Sequence, residues 1–320
     1  MSKLTYIELL NDAISSAMTE NDKIVVIGKG VTTGGDEGIA KGFYGRFGKN
    51  RVVDATVDDR ANIRLGVGLA ATGALPLVLI NGSNLFDCMD AIVNDAAYAP
   101  FANNNRFSSR MVICADAGHI EGDSPGEGFL DEGIFLGIEG LAVVYPSCPA
   151  HASYMMKKIL AAPEGGPVLF LMGRSLKKAQ VKGETSPSGG SEIIKEGEDI
   201  TLITYGPMTD KCIEASYRAM EAGIECELID LISISPLDEQ VLINSVIKTG
   251  RVLIAQQAHA KGGAADIITS MLMRSPAFDY MECPVKIIST PPGPVAYSDF
   301  TGKSAVPGWE DIYEAIISMV

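Results

Sequence analysis

No apolar run in this 320-residue chain approaches the roughly 20 residues a helix needs to cross a bilayer. The opening MSKLTYIELL carries Glu8 and lacks the apolar core of a secretion signal, so a soluble, cytoplasmic chain with no membrane partner is expected. Cationic residues are scarce: 26 Lys and Arg stand against 40 Asp and Glu, the net charge is −14, and no basic stripe runs along the chain. Sequence-independent nucleic-acid binding needs clustered cations and is excluded. The six cysteines are scattered without a CxxC, and the three histidines do not pair with them at ligand spacing. No metal site is therefore expected of this chain. Cys114 in MVICA and Cys226 in IECELI read as small buried hydrophobes of a reducing compartment. The glycine-rich GVTTGGDEG at 30–38 is not closed by GK[ST] and does not match GxGxxG with a distant acid, which leaves a loop near a site or a plain turn.

Hydrophobic residues make up 47% of the chain and charged ones 21%, which suits close-packed α/β layers rather than disorder. Residues 4–18 place Ile7, Leu10, Ile14 and Met18 at helical steps, and KIVVIG at 23–28 reads as a strand with a glycine stop. The continuous apolar run ALPLVLI at 74–80 has the composition of a parallel strand buried on both faces. A helix is expected over 86–98, a strand over 110–115 and a long Gly- and acid-rich loop over 116–133, a length that is usually functional or mobile. A short strand over 141–145, a helix opening near a surface His151 and a strand over 168–172 follow. Strands alternate with helices again after residue 198. The expected fold is α/β, with two doubly wound, mainly parallel-sheet domains: 1–180, a polar linker at 181–197, and a smaller domain at 198–320.

Residues 51–73, RVVDATVDDRANIRLGVGLAATG, organise the rest. A short apolar strand runs into Asp54, Asp58 and Asp59, then into a run of small residues that lets another helix approach closely. A carboxylate at a strand-to-helix turn sits where open α/β sheets place ligands. On these residues alone, a solvated acidic loop before a packing helix accounts for the pattern equally well.

The succession RVVDATVDD, GVGLAATG, MDAIVNDAAY, GLAVVYPSCPAHA, GGPVLFLMGRS, EGEDITLITYG, IECELIDLISISPLDEQ, VIKTGRVLIAQ and GGAADI spans essentially the whole chain. In that order and spacing it resembles the β subunit of thiamine diphosphate-dependent 2-oxo acid dehydrogenases (E1 β), related in turn to the C-terminal two thirds of transketolase. The resemblance implies a transketolase-like pyrimidine-binding domain followed by a transketolase C-terminal-like domain. It also implies decarboxylation of a 2-oxo acid with transfer of an acyl or aldehyde unit. In that family the diphosphate and its Mg²⁺ sit on the α subunit through a GDG motif, which this chain lacks. The implied partners are an α-type E1 or N-terminal transketolase-like subunit and a second β chain, in an α₂β₂ assembly. One alternative is half of a split transketolase-like carboligase acting on an aldehyde. Another, of a different class, is a non-catalytic partner that keeps the fold.

The resemblance also assigns residues. The family places a Glu beside the aminopyrimidine ring, where its hydrogen bond to a ring nitrogen favours the imino form. Asp59 stands there, with Asp58 as the alternative cofactor-binding carboxylate. Asp is one methylene shorter, a loss of roughly 1.5 Å in reach, and misplacement on that scale can cost about 10²-fold in rate. The departure allows a shifted backbone, a different proton relay or lost activity. The family's acid/base His-Ser pair aligns with Glu127 and Gly128, which leaves Glu127 or the upstream His119 as candidates. The aromatic cover of the ring falls to Phe86 or Leu85. His259 has an interface role as one reading.

Overall fold

The computed structural model describes residues 4–35, 38–120, 128, 131–180, 190–293 and 306–320. Two compact units form, Met1–Ala117 with Gly137–Gly189, and Gly118–Leu136 with Gly190–Val320.

The first unit opens on α1 (Tyr6–Glu20). Thr5 and Glu8 cap it reciprocally: Thr5 Oγ1 accepts the Glu8 N–H at 3.3 Å, and the Glu8 carboxylate accepts the Thr5 N–H at 2.8 Å. Ile7, Leu10, Ile14 and Met18 are buried on one face, as their spacing requires. There follow β1 (Ile24–Gly28), α2 (Phe43–Phe47), β2 (Val52–Val53), α3 (Asp59–Ala71), β3 (Leu75–Ile80), α4 (Ala99–Ala102) and β4 (Val112–Ala117). The short α5 (Gly133–Leu136) belongs to the second unit, and the chain then returns to the first for β5 (Ala142–Val144), α6 (Pro149–Ala161) and β6 (Val168–Gly173). Within this unit the sheet order is β5-β6-β4-β3-β1-β2, and the paired strands are parallel. Val26 lies between Val52 and Leu77 in register, and all three belong to runs too apolar for an exposed strand. The chain leaves β1 toward β2 and comes back on its other side as β3. That reversal opens a crevice beyond the carboxyl ends of β1 and β3.

Two local expectations are corrected here. The helix expected from residue 86 begins later, because residues 82–84 form a 3₁₀ turn stabilised by Asn81 Oδ1, which accepts the Ser83 N–H at 2.9 Å. Residues 91–98 then run as widened π turns into α4, where Pro100 withholds a backbone donor. His151 does not lie on a surface: it is buried on α6, with Nδ1 3.2 Å from Ser147 Oγ.

The second unit comprises α5, β7 (Glu192–Lys195), β8 (Ile200–Thr204), α7 (Met208–Glu221), β9 (Cys226–Asp230), β10 (Ser233–Ser235), α8 (Glu239–Thr249), β11 (Val252–His259), α9 (Ala264–Met273), β12 (Lys286–Thr290) and α10 (Trp309–Ile317). Its sheet runs β12-β11-β8-β9-β7, parallel except for the edge strand β7. Leu202, Leu228 and Leu253 from the sheet pack with Cys212, Ala215 and Ala219 of α7 and Ile312 and Ile316 of α10. Each such leucine contributes roughly 1.5–3 kcal/mol by leaving water. No helix among the described residues is long and apolar enough to cross a membrane.

Candidate active site

Asp59 is the first residue of α3, and the turn before it is tied down locally. Asp58 is the N-cap, its Oδ1 accepting the Arg60 N–H at 3.0 Å and the Ala61 N–H at 3.4 Å. Half exposed, it also pairs with Arg60 at 3.6 Å. Buried Asn62 reaches back to Thr56, accepting its N–H at 3.1 Å and donating to its carbonyl at 3.0 Å. With the turn fixed, the Asp59 carboxylate points into the unit and is only 7% exposed. Its Oδ2 accepts the Asn81 N–H at 3.1 Å and an Asn84 Nδ2–H at 2.9 Å. Among the described residues Oδ1 accepts no hydrogen bond.

That carboxylate lines a cavity of about 470 Å³ at the carboxyl ends of β1, β3, β4 and β6. Ile39, Val57, Leu79, Ile80 and Met172 supply apolar wall, and Lys29, Asn81, Asn84, Asp116, Arg174 and Lys177 supply polar wall. Asp116 Oδ1 accepts the Gly82 N–H at 2.7 Å, while its Oδ2 faces Arg174 Nε at 3.4 Å and Lys177 Nζ at 3.7 Å. Asp54 holds the glycine-rich turn after β1, accepting the Gly30 N–H at 2.9 Å and the Thr32 hydroxyl at 3.1 Å. The nearby thiols are held protonated. Burial, reinforced by Asp59, pushes Cys88 up to about 12, and burial pushes Cys114 well above the usual thiol range.

The other residues singled out from the sequence fall as follows. Leu85 is fully buried, whereas Phe86 is 54% exposed. Arg64, the next arginine on α3, pairs with Asp90 and, at 2.7 Å, with Asp95 rather than with the acids of the turn. His119 belongs to the second unit, half-buried, its carbonyl accepting Gln257 Nε2–H at 3.1 Å. Glu127 lies outside the described residues. In the second unit His259 Nδ1 lies 3.0 Å from Asp131 Oδ1, and its Nε2 lies 3.1 Å from the Gly293 carbonyl oxygen. Beside that pair Glu132 is fully buried and accepts the Tyr205 hydroxyl at 2.7 Å. Burial raises its carboxyl to about 7 despite that bond.

Comparison with known proteins places this arrangement. The transketolase pyrimidine-binding domain family matches residues 2–179, and the transketolase C-terminal domain family matches 189–312. The chain is 30% identical to the pyruvate dehydrogenase E1 component subunit beta of Rickettsia bellii (strain RML369-C), over 98% of both chains. It is 31% identical to the mitochondrial 2-oxoisovalerate dehydrogenase subunit beta of Dictyostelium discoideum, over 98% of this chain and 87% of that one. The chain belongs to the E1 β family. A split-gene transketolase solved as an inactive β4 tetramer shares the fold, with a TM-score of 0.79 at 20% identity over 99% of this chain and 98% of that one.

Membership of the E1 β family carries thiamine diphosphate dependence in general terms. The donor set of the cavity is compatible with the aminopyrimidine end of that cofactor. One oxygen of Asp59 is anchored by two donors and the other accepts none among the described residues, with apolar side chains on the same cavity wall. The sequence signalled Asp59 but not the groups that orient it. Asn81 and Asn84 stand in NGSN after the β3 run, and an Asx turn at Asn81–Ser83 is the local signal such a stretch offers. Nothing in one sequence marks Asp116 as a partner of Gly82, because that contact is long-range.

Proposed function

We propose that this E1 β chain is the β-type subunit of a thiamine diphosphate-dependent enzyme that decarboxylates a 2-oxo acid and passes on its acyl or aldehyde unit. The observation that carries the reading is the Asp59 carboxylate, fixed at Oδ2 by Asn81 and Asn84 and open at Oδ1 on the cavity wall. When bound, the cofactor supplies the electron sink for loss of CO₂. Asp59 would hydrogen-bond a ring nitrogen of the bound cofactor and bias its proton equilibrium toward the imino form. Val57, 80% exposed in this chain, and Leu79 line the same cavity and would cover the ring once it is bound. His119 and Glu127 are the candidates for acid/base work on the substrate. Phe86, on its exposed turn, is the candidate for aromatic cover.

The diphosphate and Mg²⁺ fall to an α-type partner, since this chain has no GDG sequence. Two copies of each chain make the assembly, with the exposed small-residue side of α3 as a contact face. Likeness to a split-gene transketolase supports only the fold at 20% identity, so the carboligase alternative ranks below the dehydrogenase. A gene encoding a lipoyl-bearing acyltransferase beside this one supports the dehydrogenase, and a lone α-like neighbour supports the carboligase. The direct test is cofactor binding with and without a co-expressed α-type subunit. No heat of binding in either case overturns the enzyme reading and leaves the non-catalytic partner.

A further inference from the structure

We propose that Asp116 is a positioning residue that sets the orientation of the Asp59 carboxylate through the Asn81–Gly82 turn. The inference rests on the reading of Asp59 as the ring partner. Two consecutive amides of one turn are held by two carboxylates from different elements. Asp59, at the start of α3, accepts the Asn81 N–H at 3.1 Å. Asp116, near the end of β4, accepts the Gly82 N–H at 2.7 Å. The turn is pinched as well as bonded. A Cβ on Gly82 would stand 1.6 Å from the Asp116 carbonyl oxygen, so the backbones of the turn and of β4 are in direct contact.

Asp116 is itself fixed from a third element. Its Oδ2 faces Arg174 and Lys177, which follow β6, and its side chain is 18% exposed. A charge-assisted bond from a carboxylate so held is shorter and roughly twice as strong as one to a neutral acceptor. Removing the acceptor at 116 leaves the Gly82 amide without its partner and loosens the turn. Asn81 N–H and Asn84 Nδ2–H, carried by that turn, then no longer converge on Asp59 Oδ2. Donors to a carboxylate favour its charged form. The consequence reaches Asp59 through geometry, separately from the direct field of the Asp116 charge.

Two variants separate those effects. Asp116→Ala and Asp116→Asn both remove the charge, but only Asn keeps an acceptor for Gly82. The readout is the titration midpoint of the Asp59 carboxyl carbon in ¹³C-labelled full-length chain, assigned by its loss in Asp59→Asn. The expected result is a midpoint in the Ala variant above that in the Asn variant. Coincident midpoints overturn the proposal. If the Ala variant does not fold, Asp116→Glu keeps the charge and displaces the acceptor by one methylene. The Asp59 midpoint then moves from the wild-type value if the relay exists and stays if it does not. In the complex with an α-type subunit, thiamine diphosphate with Mg²⁺ should bind about tenfold more weakly to the Ala variant than to the Asn variant, on the scale of one lost charged hydrogen bond. The cofactor reading fails separately, when Asp59→Ala leaves cofactor affinity unchanged while the Ala–Asn midpoint difference persists.

Discussion

Asn84 donates its side-chain N–H to Asp59 Oδ2 at 2.9 Å, which makes a residue of the β3 exit turn the orienting partner of the cavity carboxylate. In Asn84→Ala only the Asn81 amide remains on that oxygen, and the carboxylate can rotate. A hydrogen bond to a charged group is worth about 1.5–3 kcal/mol. Cofactor affinity in the assembled complex should fall roughly tenfold or more by that measure. Asn84→Asp should fall further, because two carboxylates then share the site. Calorimetric titration with thiamine diphosphate and Mg²⁺ checks both, and wild-type affinity in Asn84→Ala would remove Asn84 from the site.

Gly82 admits no side chain. With a Cβ built only 1.6 Å from the Asp116 carbonyl oxygen, Gly82→Ala requires backbone movement, and the cost should reach the upper part of the ~1–3 kcal/mol usual for overpacking. Urea unfolding of the purified chain is the check. A change under about 0.5 kcal/mol, the range of ordinary surface substitutions, would contradict the close approach.

Much of the fold was legible because its strands and helices are strongly patterned. ALPLVLI, the α1 face and the acidic turn before α3 each announced their element locally. The position of Asp59 was equally legible, since strand, acids and small-residue helix follow one another in the chain. Its orienting partners were not. Asn81 and Asn84 lie 22 and 25 residues away in sequence, and Asp116 meets Gly82 across 34. Burial reversed one other reading and separated two candidates. His151 falls on the inner face of α6, and Phe86 turns outward because Leu85 takes the core position beside it. No periodicity in so short a turn tells which of two adjacent apolar residues goes inside.

Two glycines of α3 should behave oppositely. A Cβ on Gly66 would lie 2.6 Å from Met111 Cε and 2.9 Å from Val78 Cγ2, while Gly68 has nothing within 4 Å. Gly68→Ala should stabilise the isolated chain by up to about 1 kcal/mol through helix propensity, and Gly66→Ala should lose that gain to crowding. If the exposed side of α3 is a subunit contact, Gly68→Phe should leave the chain folded and weaken its assembly. Unfolding curves and sedimentation of the same proteins separate the two effects.

Glu132 should give the protein a pH-dependent stability term. Burial raises its carboxyl from the usual 4.5 to about 7. Below 4.5 it is protonated in folded and unfolded chains alike. As pH rises from 4.5 to about 7, the unfolded chain releases a proton that the folded chain retains, so stability falls across that window. Glu132→Gln keeps an acceptor for the Tyr205 hydroxyl and has no proton to lose. Its advantage over wild type should be absent at pH 4.5 and approach roughly 3 kcal/mol at most above pH 7, at 1.36 kcal/mol per pH unit. Urea unfolding at the two pH values measures it, and a gap independent of pH would show that Glu132 titrates normally.

The most direct measurement is calorimetric titration of thiamine diphosphate with Mg²⁺ into the chain assembled with its α-type subunit, wild type against Asp59→Ala. Saturable binding to the wild-type complex is expected, at least about tenfold weaker when the Asp59 carboxylate is removed. Binding of equal strength to both complexes, or none to the wild type, would contradict the assignment of Asp59 as the residue that holds the cofactor ring.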